Sequence, residues 1–583
     1  MKIPRRRSER RFARTVLACF LPGLLAGTQV AGVLFFLNPH LPFDLITFSR
    51  GALFYGSLLG LLSFAVLLPL TRGREDRLRR WLPVFLMVSL VMSALGFWAN
   101  AYTFNLGSFL PPGIIKRLLK AAIWLSLGAL ICFYTVIWHL FRRRPYGRRG
   151  RLVFTLVTLA TVYVVVERRE AFRPRIEPTP RATTFEGAGR PMLSVVGIET
   201  ATFDAVLPLA EQGRLPFFSK MLNEGAQARL LSLRPAVRSP LWTTLATGKQ
   251  PYNHGIVGEF LYDASFLSPR RHQISLLPIG ISFEQWGTLG ASRPVESQDL
   301  RALPIWQVLS QLGMSTALVG WPATSPPPDG VDVVLSNHFF TGGSDAQEAA
   351  PLDMAQRARL FRPRPDAIDP VVTARFGAAP PQRVLEALAA DLWRQDLAFF
   401  LLDRDPPIDG LFLQLPGLEI VSHDYFGGYS AVQFEAVQEA ESVEASRLVE
   451  AYYGHLDEFL SNLWDSMPEP RLLVVVSAHG VHGDQGWRKV VRGLLRRPLM
   501  EGHWSDAPDG VLMVLGEGIQ PGASVRSAEL VDVLPTILYG LGYPIARDFD
   551  GGVLTDLYGS AFLARRPLVL VPSYETFTPP PKP

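Results

Sequence analysis

Five side chains of metal-ligand type lie in four separated parts of this chain: Glu199, Glu419 with His423, His479, and His503. Glu419 and His423 are four apart, which sets them on one face if that turn is helical. Three imidazoles and two carboxylates can build a nitrogen–oxygen metal site, and zinc is the first candidate for such a donor set. No CxxC-like local signature accompanies them, and each histidine taken alone fits equally well as a hydrogen-bonded loop residue. What argues for a site is where the five fall relative to the elements around them.

Glu199 follows the apolar run MLSVVGI (Met192 to Ile198). Glu419 and His423 follow DGLFLQL (Asp409 to Leu415), and Ala478 and His479 follow RLLVVVS (Arg471 to Ser477). His503 comes just before DGVLMVLG (Asp509 to Gly516), and STALVGW (Ser315 to Trp321) is a further run. Amphipathic patterns lie between these runs, such as RVLEALAADLWRQDLAFFLL and the long stretch from Ala431 to Leu463. Short apolar runs alternating with amphipathic helices predict an α/β domain with a mostly parallel sheet flanked by helices. In such a sheet ligands collect beyond the carboxyl ends of the strands, which is where these residues fall.

The first 170 residues read differently. Apolar spans run approximately from Thr15 to Leu37, Ala52 to Leu70, Trp81 to Ala99, Ala121 to Leu140 and Leu152 to Val166. The first four approach the length that crosses a bilayer. The fifth, about 15 residues or roughly 22 Å of helix, needs Arg151 and Glu167 near the interfaces; the alternative is a re-entrant or surface helix. No alanine-rich cleavage site or lipid-anchor cysteine follows the first span, which reads as a retained anchor. The segments MKIPRRRSERRFAR, TRGREDRLRR and FRRRPYGRRGR carry 18 Lys and Arg against three acids, a net +15 that leaves −9 for everything else. The positive-inside rule places all three in the cytoplasm and the large domain outside. High Arg and Pro content points to a GC-rich bacterium, so the expected location is a bacterial inner membrane with a periplasmic or extracellular C-terminal domain. The basic balance reports a membrane surface, and nucleic acid is not an expected partner. The two cysteines, Cys19 and Cys132, both sit in apolar spans, so the globular part holds neither a disulfide nor a cysteine zinc site. The expected division is a five-span membrane region over 1–166, a linker over 167–190, an external domain over 191–560 and a tail over 561–583. Within the external domain, about 259–295 and 337–382 read as cap or insert loops.

With the residues laid out, the external domain resembles the alkaline phosphatase superfamily and, within it, the type I phosphodiesterase/nucleotide pyrophosphatase branch. The resemblance is carried by VVGIETATFDAVLPLAEQGRLPFFSKMLNEGA, SPLWTTLATGKQPYNHGI, VVVSAHG and VDVLPTILYGLGYPIARDFDGGVL. The layout of five spans before an external domain is also similar to lipoteichoic-acid synthases and phosphoethanolamine transferases. The resemblance implies two metals. One site would use Glu419, His423 and His503, where the family has an Asp and two His. The other would use Glu199, the nucleophile oxygen, and the Asp-His pair, which reads Ala478 and His479 here. Nine residues before Thr247, the nucleophile position reads Arg238.

Arg238 cannot do a nucleophile's work: a guanidinium has no lone pair to offer and stays protonated. It could stand in the second site as a fixed charge, paired with Glu199 or holding a phosphate bidentately, or it could point to solvent. Ser239 is one residue off register and precedes Pro240, which fits an N-cap better than a nucleophile. His482 and Asp484 are candidate substitutes for the lost ligand at Ala478, and Asn337 is a candidate pocket residue. One zinc at the first site, or no metal, is the cofactor expectation. The resulting expectation is an anchored pseudoenzyme that binds a phosphorylated or lipid-linked ligand, or membrane and envelope protein partners. The alternative is an active metal-dependent phosphodiesterase or phosphoryl-group transferase on a lipid-linked or envelope substrate. A transporter subunit fits less well, because the spans hold few charges.

Overall fold

An apolar segment of twenty-odd residues satisfies its backbone internally as a helix. Among its described residues the computed structural model has five such helices: α1 (Pro4–Leu37), α2 (Leu45–Thr71), α3 (Glu75–Thr103), α4 (Ile114–Phe141) and α5 (Arg148–Val166). The structure describes residues 4–71, 75–103, 108–111, 113–142, 146–166, 190–267, 273–278, 292–363, 368–435, 437–483, 501–504 and 508–575. The stretches long and apolar enough to cross a membrane are Val16–Leu37, Leu45–Leu70, Arg80–Tyr102, Ile114–Phe141 and Arg148–Val166. The fifth exceeds its expected length: it has 19 residues, because the basic Arg148–Arg151 turn joins the helix. That makes it ~28 Å long.

The chain divides into two compact units, Met1–Pro174 with Val257–Pro294, and Arg175–Ile256 with Val295–Pro583. In the first, α1 and α2 meet backbone to backbone through two Gly-x-x-x-Gly pairs, Gly23/Gly27 and Gly56/Gly60. A Cβ on Gly27 would lie 2.2 Å from the Gly56 nitrogen, and one on Gly23 2.2 Å from the Leu59 oxygen. Small residues at this spacing are the usual means of close helix approach in an apolar medium. Segment 259–295, read from sequence as a cap or insert of the α/β domain, groups with these helices as far as Pro294 where it is described. Its strands Phe260–Asp263, Gln273–Ile274 and Ser292–Pro294 form a small antiparallel sheet. Asn38, fully buried at the end of α1, fastens it. Asn38 Nδ2 donates to Leu34 O at 2.9 Å and Leu276 O at 2.7 Å. Its Oδ1 accepts from the backbone N–H groups of Ser275 at 2.8 Å and Leu276 at 3.1 Å. Phe266 stacks on Phe54 with ring centres 4.2 Å apart.

The second unit is built on a nine-stranded sheet: β1 (Met192–Ile198), β2 (Ala226–Leu231), β3 (Thr316–Val319), β4 (Val333–Leu335), β5 (Ala349–Ala350), β6 (Gly410–Leu415), β7 (Arg471–Ser477), β8 (Gly510–Gly516) and β9 (Ala523–Glu529). The order across the sheet is β9-β2-β8-β7-β1-β6-β3-β4-β5. Pairings β1–β7, β1–β6, β3–β6, β3–β4 and β2–β9 are parallel; β7–β8, β2–β8 and β4–β5 are antiparallel. The fold is therefore α/β and mostly parallel. All seven residues of β1 are buried, as befits a central strand covered on both faces. β2 and β9 lie at the margin and alternate in exposure, which hides them from a search for continuous apolar runs.

Helices α6 (Phe203–Glu211) and α7 (Pro216–Glu224) follow β1, separated at Gly213, whose φ of +72° ends the first. Next come α8 (Arg238–Thr247), α9 (Gln382–Leu402), α10 (Gly417–Glu435) and α11 (Ala440–Ser466). Residues 561–575, read from composition as the start of a tail, belong to the unit. Leu570–Val571 pairs with Ile545–Ala546, the Tyr574 hydroxyl donates to Pro544 O at 2.6 Å, and Glu575 contacts Lys249. Most of the linker 167–190 lies outside the described residues.

Candidate functional site

β1 ends at Ile198, and the left-handed Thr200 (φ 60°) turns the chain out of the sheet immediately after Glu199. Glu199 is 1 % exposed, and a bare carboxylate there would be very costly. Its Oε1 meets three side-chain nitrogens from two elements, α8 and β6. Arg238 Nε, at the start of α8, lies 2.7 Å away. Trp242 Nε1, one turn along α8, donates at 2.8 Å, and Gln414 Nε2, from β6, donates at 2.9 Å. Gln414 Oε1 accepts from Arg238 Nη2 at 3.3 Å, closing a ring of Glu199, Arg238 and Gln414. Trp242 reaches this place because β1 carries Gly197: a Cβ there would stand 2.7 Å from the indole ring. Neither Trp242 nor Gln414 was among the candidate site residues read from the sequence. The signal for Gln414 was present, a lone amide in the otherwise apolar run LFLQL.

On its other side Glu199 Oε2 faces His479 Nε2 at 3.9 Å. His479 follows β7 and Ala478, and its Nδ1 lies 2.9 Å from Gly480 O, which assigns the proton to Nδ1. Burial lowers the pKa of this histidine. The positive Arg238 acts in the same direction, while the Gly480 carbonyl and the Glu419 carboxylate oppose it. With the ring neutral and its proton on Nδ1, Nε2 turns a lone pair toward Glu199 Oε2, so the 3.9 Å approach is neither an ion pair nor a hydrogen bond. Arg394, almost wholly buried in α9, has its own pKa lowered to about 10, by burial first and by Arg238 among the smaller causes.

The residues expected at the other metal site are distributed differently. Glu419 and His423 stand one turn apart on α10. His423 is exposed and its Nδ1 lies 2.7 Å from Asp424 Oδ1, with Arg383 Nε 3.3 Å from Asp424 Oδ2. His503 pairs with His482 in a two-residue antiparallel ladder, their rings edge to face at 4.3 Å. Trp504 lies between the groups, its ring centre 5.9 Å from His479 and 6.0 Å from His423. Among the described residues no three of His, Cys, Asp and Glu come together as a metal-binding group. Chemistry agrees at the Glu199 side: Arg238 brings a positive charge where a cation would sit, and Ala478 brings no ligand atom. The donor set there does not fit a metal. Asp484 lies outside the described residues.

Ser239 differs from its expected place. Val237, extended at φ −116° and ψ 125°, is the cap residue and makes no side-chain cap bond. Arg238 opens the helix, so Ser239 and Pro240 lie within its first turn, and Ser239 is buried. The residue before a proline resists the helical region, but the constraint is satisfied here with Pro240 in the first turn, where its missing N–H costs nothing. His254 is structural: its Nδ1 accepts from Ile256 N at 3.2 Å, which leaves Nε2 to donate to Thr244 Oγ1 at 3.0 Å. Its pKa falls to about 3, chiefly through burial and then through Lys249. Asn337 opens a short helix after β4, three strands from β1 and so about 14 Å across the sheet.

No protein of curated function matches the sequence. Among solved structures, murine ectonucleotide pyrophosphatase/phosphodiesterase 5, in an inactive form in complex with AMP, is similar at a TM-score of 0.38 and 12% identity, over 63% of this chain and 100% of that one. The wild-type alkaline phosphatase PafA is similar at 0.41 and 12%, over 64% and 100%. A phosphonate monoester hydrolase from Silicibacter pomeroyi is similar at 0.36 and 15%, over 63% and 76%. The profile of the type I phosphodiesterase / nucleotide pyrophosphatase family matches residues 192–497, more than half of the sequence, and the chain belongs to that family.

Proposed function

We propose that this protein is a membrane-anchored, extracytoplasmic pseudoenzyme, in which the phosphodiesterase frame serves binding rather than turnover. The observation that carries the reading is the 2.7 Å contact between Arg238 Nε and Glu199 Oε1. Two-metal phosphoryl chemistry needs an activated nucleophile and cations to stabilise the developing charge. At the position of the nucleophile stands a cation, and the carboxylate that would face a metal is engaged by Arg238, Trp242 and Gln414. Arg238 remains 39% exposed, and a guanidinium at a helix N-terminus suits a phosphate-bearing or lipid-linked ligand. Envelope or membrane proteins are the alternative partners. Anchoring is supported by the five helices of sufficient length, and the orientation by the clustering of Arg in the segments assigned to the cytoplasm.

The second reading, an active phosphodiesterase or phosphoryl-group transferase on an envelope substrate, draws on family membership and on the gathering of His423, His479, His482 and His503 around Trp504 and the short ladder. The test is hydrolysis of bis(p-nitrophenyl) phosphate by the purified full chain, with metal content measured on the same sample. The expected result is no turnover in the parent. Two bound metals, or activity in the parent that disappears in His423→Ala, would overturn the proposal. In the double variant Arg238→Ser, Ala478→Asp, recovered metal binding would show that these two positions are what keeps metal out.

A further inference from the structure

The helical unit holds a cavity of about 500 Å³ between α1, α2 and α3, a size typical of ligand sites. It is elongated: its wall runs from Pro22 to Val33 on α1 and from Phe85 to Phe97 on α3. At 1.5 Å per residue that is ~16–18 Å, about half the hydrocarbon thickness of a bilayer. On α1 the lining positions 22, 26, 29 and 33 follow helical spacing, so Gln29 stands in the middle of the wall. Gln29 is fully buried, and among the described residues neither its Nε2 nor its Oε1 has a hydrogen-bond partner. In an apolar medium a carboxamide left this way is expensive.

The rest of the cavity offers Gln29 little help. Ser63 Oγ donates to Cys19 O at 2.7 Å and Ser89 Oγ to Pro22 O at 3.1 Å, so both hydroxyl protons are committed to the α1 backbone. Leu62 and Met92, also in the wall, are each 62% exposed. The cavity therefore runs from an open apolar edge between α2 and α3 inward to a buried, unpaired amide. The α1–α2 wall is stiffened by the glycine contacts, so collapse onto the space is resisted. With these helices in a bilayer, the open edge faces lipid chains.

We propose that this cavity binds one hydrocarbon chain of a bilayer lipid, and that Gln29 recognises a group on that lipid which both donates and accepts a hydrogen bond, a hydroxyl or an amide. An ester, which only accepts, satisfies Nε2 and leaves Oε1 bare; a group with both functions answers both orphaned atoms. The inference rests on the five helices crossing a membrane and is independent of whether the α/β site turns over.

The test uses the purified full chain in nanodiscs with three fluorescent probes that share one alkyl chain and carry a secondary amide, a hydroxyl or an ester. The amide or the hydroxyl probe is expected to bind at least tenfold more tightly than the ester. Gln29→Leu is expected to retain chain binding and lose that preference. Gly96→Leu is expected to abolish binding of all three, since Gly96 lines the cavity and a Cβ on it meets nothing within 4 Å, so the added side chain fills space without a clash. Equal binding of all three probes by the parent would overturn the proposal. So would a preference that survives Gln29→Leu, or no probe binding at all, which would leave water as the partner of Gln29.

Discussion

Glu199 and Gln29 are both fully buried polar side chains, and they differ in how their polar atoms are met. Glu199, in the α/β unit, receives Arg238, Trp242 and Gln414 on one oxygen. Gln29, in the helical unit, has no partner for either polar atom among the described residues. The contrast inverts the usual expectation for this family. On the Glu199 side the carboxylate is engaged by Arg238, Trp242 and Gln414, whereas the helical unit contains the unmet demand. A buried polar group with a full set of partners stabilises one arrangement; one without partners is a demand that a ligand can meet.

The largest expected effect tests the satisfied side. Glu199→Ala leaves the indole N–H, the Gln414 amide and Arg238 without their common acceptor. It is expected to cost ~3–5 kcal/mol, read as a lowered midpoint in denaturant unfolding of the full chain. A cost under about 1 kcal/mol would mean that the ring of Glu199, Arg238 and Gln414 is not formed in solution, and the comparison would fail at its first term. Asn38→Leu comes next, because Asn38 is the satisfied counterpart of Gln29 within the same unit. Removing its contacts to Leu34, Ser275 and Leu276 is expected to cost ~2–3 kcal/mol locally and to raise hydrogen exchange at 273–278. Unchanged exchange there would remove the contrast with Gln29.

Acid is a third probe. His254 binds protons less readily when folded, at about 3 against an ordinary 6.5, so its stabilising contribution is whole above ~6.5 and is lost as pH falls toward 3. The slope for one such group is at most about 1.4 kcal/mol per pH unit. Replacing it in His254→Gln is expected to flatten the acid limb of the stability curve, and an unchanged limb would show that α8 does not depend on a neutral His254. The smallest effect is expected at His423→Ala, within about 0.5 kcal/mol, because that ring is exposed and its partner Asp424 also meets Arg383. A larger loss, measured with and without added zinc, would mean that the histidine side holds something the parent needs.

The type of the domain was legible because β1, β6 and β7 are continuous apolar runs, and a buried parallel strand has few other ways to look. The candidate residues were legible because strand ends in such a sheet are where side chains converge. That Arg238 cannot be a nucleophile followed from its functional group alone, and a pairing with Glu199 was foreseeable from charge. Gln414 and Trp242 were not, since each looks like packing until the two elements carrying them are brought against β1. The placement of 273–278 beside α1 could not be read at all: it depends on Asn38 meeting backbone groups more than 230 residues away.

By itself, then, the sequence determined which segments are too apolar for water, which runs become strands, and which chemical groups occupy the strand ends. These are local properties, set by side-chain composition and periodicity. Only the tertiary structure decided that three side chains converge on one oxygen of Glu199, that the histidines divide between α10, the end of β7 and a short ladder, and that Gln29 faces a cavity with no hydrogen-bond partner among the described residues. Hydrogen-bond satisfaction is a relation between elements distant in sequence, and no single stretch of chain contains it.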